Sequence, residues 1–304
     1  TILLGKDDTI VGVLGEGEYS TKFNGVVLDT KDAVTTDKFD KIFKGAYAEI
    51  VDSSGRKQQI EYEGRAEDYA MGAVVEVSYD NGKVTLTHND QQLSEPLSGT
   101  VNENGTALGK YAIAKDARIV DVKNRSFVKT TATRLAGTFL YASDIYYYST
   151  NSNREIDEMI LSDVTGDLYD YGILLGSTPV INDMGRMTTY DYIIDGTENS
   201  ISSGDFTEML TEGPGGFSFV DNQLDDIIKL QNVRITSIKG LEVNPDTSRY
   251  LMSDEVKVYY LSRDKYHKVT LNSVKDLDKY NLNGYYDKSS QFGGRIRVII
   301  ATDK

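Results

Sequence analysis

A chain of 304 residues with 39% hydrophobic and 26% charged side chains lies in the globular range and has room for two or three domains. No apolar run approaches the ~18 residues a membrane-spanning helix needs, so no membrane insertion is expected. The formal charge of −14 repels nucleic acid and anionic lipid, and the absence of cysteine excludes disulfides, thiolate catalysis and zinc–thiolate sites.

In chain order, short β-branched and aromatic segments are separated by turn residues. Strands are expected over 9–14 and 22–28, followed by a hairpin of 46–52 and 56–62 joined through Ser53-Ser54-Gly55. Thr36-Asp37 could cap a two-turn helix reaching Phe43. The plainest pattern lies at 75–88. There Val75, Val77 and Tyr79 alternate with polar residues, Asp80-Asn81-Gly82 tolerates positive φ, and Val84, Leu86 and His88 resume the alternation. Further strands are expected over 138–148, 155–161, 169–175, 188–194, 216–220, 233–238, 256–261 and 295–301, with a second short helix over 272–279. All four prolines fall between these segments. The reading is all-β: two or three small sandwich- or barrel-like modules in series.

An imperfect internal repeat underlies part of this rhythm. Residues 111–122 read against 250–261 at an offset of 139, and Ile156, Met159, Ile160, Ser162 and Asp163 fall on Ile296, Ile299, Ile300, Thr302 and Asp303 at an offset of 140. With boundaries at the polar stretch 89–96 and near Gly176, the expected modules are 1–93, 94–175 and 176–304. Residues 176–231 read as an insertion or linking hairpin.

Chemistry has few places to reside. His88 and His267 each stand alone in a strand-like run, where a packed or solvated histidine is the ordinary outcome. Nucleophile-elbow, zinc-protease, phosphate-loop and dinucleotide motifs are missing. A glycosidase-type carboxylate pair needs a cleft that spacing alone does not reveal. No cofactor is required by this reading. Calcium is the candidate ion, with Asp163, Asp167 and Asp170 its candidate ligands in one oxygen-rich stretch and Asp221-Asn222 with Asp225-Asp226 a second such turn. Neither follows the EF-hand order, and acids that end strands and face water are the alternative. Tyrosines cluster at 146–148, 259–260 and 285–286, and alternate strand residues face opposite sides. Tyr146, Tyr148, Tyr259 and Tyr285 are therefore the candidates for outward contact, against the alternative of cross-strand packing.

Residues 160–175 (Ile-Leu-Ser-Asp-Val-Thr-Gly-Asp-Leu-Tyr-Asp-Tyr-Gly-Ile-Leu-Leu), then 190–196, 282–288 and 293–300, carry a resemblance to a known family. So do 24–30 and 217–224. In motif order they resemble the non-anchor region of S-layer homology (SLH) domain surface proteins of Gram-positive bacteria. The resemblance implies export, display at the cell surface or in the wall, and a structural, non-enzymatic role. Its implied partners are copies of the chain or other surface proteins, and wall polysaccharide through domains outside this chain. No SLH repeat is found here, so attachment is assigned to no residue. The chain opens on Thr1, not an initiator Met, and an export signal is expected upstream. The expected function is an S-layer-type, self-assembling lattice or fibre component. An adhesin-like module for glycan or protein is the first alternative, and a carbohydrate-active accessory domain or hydrolase the second.

Overall fold

The computed structural model describes residues 2–4, 10–13, 20–36, 42–80, 83–89, 96–182 and 185–304. Strands account for 62% of the chain and its sheets form curled half-barrels or sandwich-like modules, so the fold is all-β. The helix expected over 272–279 is the single turn Leu271–Val274. The one expected from Thr36 is not formed at its ends: Thr36 closes one strand and Ile42 opens the next, with 37–41 outside the described residues.

Two compact units divide the chain, and they are interleaved along it. The first takes 1–98, 110–132 and 141–162, and the second takes 99–109, 133–140 and 163–304.

The first unit has a curled antiparallel sheet of β1 (Ser20–Thr36), β2 (Ile42–Asp52), β3 (Lys57–Tyr62), β4 (Val74–Asp80) and β5 (Lys83–His88), in the order β3-β2-β1-β4-β5. The hairpin read from 75–88 is β4–β5, paired from Asp80 against Lys83, with Asn81 and Gly82 outside the described residues. Inside the curl, Val27, Ala48, Ile50, Val75 and Val77 are buried with Tyr62 and Leu86. Val26, Leu28 and Val51 point out of the other face. They meet Val120, Val122 and Ile160 of a second sheet, made of β6 (Tyr111–Lys123), β7 (Ser126–Thr130), β8 (Ile145–Thr150) and β9 (Ile156–Ser162) in the order β7-β6-β9-β8. A strand covered on both faces loses the polar half of its alternation, which accounts for the unbroken runs 26–28 and 159–161. Each fully buried aliphatic chain there contributes about 1.5–3 kcal/mol of burial.

The second unit repeats the plan. Its curled sheet holds β10 (Asp170–Asn182), β11 (Gly185–Ile194), β12 (Thr197–Ser203), β13 (Gly213–Val220) and β14 (Gln223–Lys229), in the order β12-β11-β10-β13-β14. Its mixed sheet holds β15 (Gln231–Ile235), β16 (Tyr250–Ser262), β17 (Lys265–Lys268), β18 (Tyr280–Tyr286) and β19 (Ile296–Asp303). There β15-β18-β19-β16 lie side by side and β17 pairs with β16.

The correspondence holds to the residue. β6 runs parallel to β9 with Ile113 opposite Ile156, a register shift, then Ile119 opposite Met159. β16 runs parallel to β19 with Met252 opposite Ile296, a shift, then Val258 opposite Ile299. These are the segments the sequence repeat aligns. The curled sheets correspond too, although no sequence match marked them. The bulge between Val27 and Asp29 on β1 recurs between Leu174 and Gly176 on β10, so Gly176 lies within a strand. Gly25 and Gly172 occupy the same ladder position, where a Cβ would collide with the carbonyl oxygens of Val51 and Ile193 respectively.

Candidate functional site

Asp163, Asp167 and Asp170 are not brought together as one group of side-chain ligands. Among the described residues no group of three or more His, Asp or Glu side chains is placed to hold a metal ion. Asp163 has left-handed backbone, φ 50°, and its carbonyl oxygen accepts Lys288 Nζ at 2.8 Å. Asp170 stands at the exposed start of β10. Partial desolvation pushes its carboxyl up, Asp195 and Glu255 add to the shift, and Lys257 opposes it.

Asp167 belongs to a clasp of buried charges. Arg134 Nε donates to its Oδ2 at 2.9 Å and Arg297 Nη1 to its Oδ1 at 2.7 Å. Burial works against the Asp167 charge, but hydrogen bonds and positive charge from Arg134 and Arg297 outweigh it and hold the carboxyl below its ordinary range. Arg297 Nε also donates to Asp287 Oδ2 at 2.8 Å, and its guanidinium lies 4.8 Å from the centre of the Tyr171 ring. Tyr171 donates to the Gly166 carbonyl at 2.7 Å, and burial pushes its phenol strongly up. Arg295, desolvated and beside Arg134 and Arg297, is lowered to about 10. Each carboxylate here is met by guanidinium, so the cluster locks the 163–167 turn to β19 and leaves no poised acid–base pair. Its trace in the sequence is Arg295 and Arg297 on either side of Ile296, where the apolar run of β19 begins, a pattern that reads as buried charge awaiting partners.

The four candidate contact tyrosines have different fates. Tyr259 is wholly buried between the two sheets of the second unit, so it is a core residue and no surface contact. Tyr146 is half-buried against Val26, Leu28 and their cluster. Tyr148 tilts against Tyr111 at 6.3 Å. His88 Nε2 donates to the Asp68 carbonyl at 3.0 Å and its ring lies against Tyr69, while His267 is an exposed ladder residue opposite Tyr260.

Tyr285 lines a groove. This concavity of about 630 Å³ opens in the second unit where β15, β17, β18 and β19 meet the start of β13 and the end of β14. Leu230, Leu261 and Ile300 are its apolar lining and Tyr266 and Tyr285 its aromatic lining, with Tyr286 bordering it from the strand face that packs on Tyr250. Gln231, Asn232, Asn283 and Thr302 supply polar edges, with Glu212 and Lys229 as single opposite charges. The Tyr266 ring is braced edge-on by Tyr259 at 6.4 Å, and Tyr286 packs on Tyr250 at 4.9 Å and donates to Gln231 Oε1 at 2.9 Å. Burial raises the Tyr266 phenol, with the Glu212 carboxylate adding to it, and burial then the neighbouring Tyr266 raise Tyr285. Both stay protonated at neutral pH and present O–H donors beside apolar ring faces. The Tyr285-Tyr286 pair was visible in the sequence. Tyr266 and Asn283 were not, since only the ladder brings them to it.

No family model, curated protein or solved structure matches the chain.

Proposed function

We propose that this chain is a non-enzymatic extracellular component of a bacterial surface layer, acting through contacts between its β-modules and those of neighbouring copies or other surface proteins. The observation that carries the reading is the doubled module. One strand plan, with the same bulges and the same close-approach glycine, is used twice in tandem. Repeated β-units suit a displayed scaffold better than a single reactive centre. The principal cluster of buried charge is consumed by folding, as Arg134, Arg297, Asp167 and Asp287 satisfy one another. The SLH-type phrasing of 160–175 and 293–300 points the same way.

Contacts through sheet edges and side-chain faces give such modules a physical route to assembly. Electron microscopy and sedimentation of the purified chain, with and without calcium, test it. Ordered sheets or fibres that appear with concentration are expected. A chain that stays monomeric at high concentration in both conditions removes the self-assembly reading.

A further inference from the structure

We propose that the Tyr266–Tyr285–Tyr286 groove is a binding site for a neutral oligosaccharide. This stands apart from the surface-layer reading, because a lattice component needs no ligand and a sugar-binding module needs no lattice.

The groove's size lies within the ~300–1,000 Å³ of small-ligand sites. Its walls combine rigid ring faces with side-chain amides and hydroxyls. A pyranose presents the matching pair: a C–H face that lies flat on an aromatic ring, and equatorial hydroxyls that both donate and accept. Asn232 and Asn283 each offer an amide that can serve a hydroxyl in either sense, while Gln231 Oε1 is engaged by Tyr286. Tyr266 and Tyr285 are held as neutral donors. Charge at the rim is one Glu212 and one Lys229, and Lys229 Nζ already donates to Thr211 Oγ1 at 2.7 Å. That balance suits an uncharged ligand better than an acidic or basic one. A peptide would need apolar sockets for anchoring side chains, whereas this lining mixes three aliphatic side chains with amides, hydroxyls and two opposite charges.

The comparison of the two units sharpens the point. In the first unit the described residues at the corresponding seam between curled and mixed sheets include a packed ring. Tyr147, opposite Ile160, packs there with Phe127 and accepts Asn24 Nδ2 at 2.9 Å. In the second unit the residue opposite Ile300 is Asn283, and the position of Phe127 is taken by Tyr266. A packed ring in the first unit is replaced by an amide in the second, and an apolar ring by one with a polar tip.

Isothermal titration of the full chain against neutral cello-, chito- and manno-oligosaccharides of two to four units tests the site. Binding of at least one series is expected. Tyr266→Ala and Tyr285→Ala should each weaken it about tenfold or more, and Asn283→Tyr, which places the first unit's ring at that position, should abolish it. Tyr148→Ala, in the first unit, should leave it unchanged. Circular dichroism and urea midpoints establish that the variants are folded, and Asn283→Tyr keeps the proposal testable where a truncation loosens the groove. No binding of any series by the unaltered chain overturns the proposal. So does binding unaffected by Asn283→Tyr in a folded variant. If Asn283→Tyr instead suppresses self-association and no sugar binds, the groove is a contact between copies and the sugar assignment fails.

Discussion

Arg297 and Asp287 form an ion pair in which both side chains are only 3% exposed, with Nε and Oδ2 at 2.8 Å. Removing one partner leaves a desolvated charge, which typically costs about 3–5 kcal/mol. Asp287→Ala is therefore expected to lower the urea-unfolding free energy of the second unit by about that amount. Replacing both partners with apolar residues, Arg297→Met with Asp287→Leu, should recover part of the loss. A single Asp287→Ala within 1 kcal/mol of the parent would show that the clasp is not what holds the 163–167 turn.

Acid should act through Asp167. Its folded-state pKa is depressed, so its contribution is complete above the ordinary carboxylate range and is lost as pH falls through the folded value. Urea midpoints should be level from pH 7 to about 5 and decline below about 4. Asp167→Asn should flatten that decline and lower the plateau. An unchanged acid profile in the variant would refute the assignment.

Base should act on the first unit through Tyr62, whose phenol donates to the Arg65 carbonyl at 2.8 Å. Burial, then the charge of Asp68, pushes it up to about 12. The unfolded chain releases this proton from about pH 10, and the folded chain holds it until about 12. Stability therefore falls as pH rises across that window, by on the order of 2 kcal/mol. Tyr62→Phe should remove this part of the alkaline slope, as seen in unfolding followed from pH 9 to 12.

Gly25 and Gly172 should both be intolerant of a side chain. Gly25→Ala and Gly172→Ala each push a methyl into a neighbouring strand's carbonyl, and a cost of about 1–3 kcal/mol or more is expected. Gly204 has no atom within 4 Å of an added Cβ, so Gly204→Ala should change stability by less than ~0.5 kcal/mol. Equal melting temperatures for Gly172→Ala and Gly204→Ala would contradict the close approach.

Ile160 and Ile181 make the matching contrast for apolar residues. Ile160 is fully buried at the centre of the first unit and Ile181 is 84% exposed near the end of β10. Truncation to Ala should cost about 2–5 kcal/mol at Ile160 and under ~0.5 kcal/mol at Ile181. Chemical denaturation of the two variants side by side decides it.

The strands legible in the sequence were those with one dry face. The alternation at Val75, Val77 and Leu86 gave β4 and β5 nearly to the residue. The repeat at 111–122 and 250–261 was legible because both copies carry the same central, doubly covered strand. The curled sheets hid their kinship. Asn24-Gly25-Val26 and Tyr171-Gly172-Ile173 share little beyond the glycine, and their spacing of 147 residues differs from the 139 of the other half. The clasp and groove escaped for a different reason. Arg134, Asp167 and Arg297 are far apart in the chain, and no local pattern reports a meeting between them. Tyr259 misled because strand alternation gives two faces without saying which is wet, and here both are covered.

The interleaving of the two units has a consequence for any attempt to cut the protein in half. A break after residue 162 leaves 99–109 and 133–140 on the N-terminal fragment, although they belong to the second unit. The C-terminal fragment is then short of part of its own structure, including Arg134 of the clasp. Dissection into independently produced halves should fail for the second of them, and a ribosome that has just completed the first unit has already committed pieces of the next.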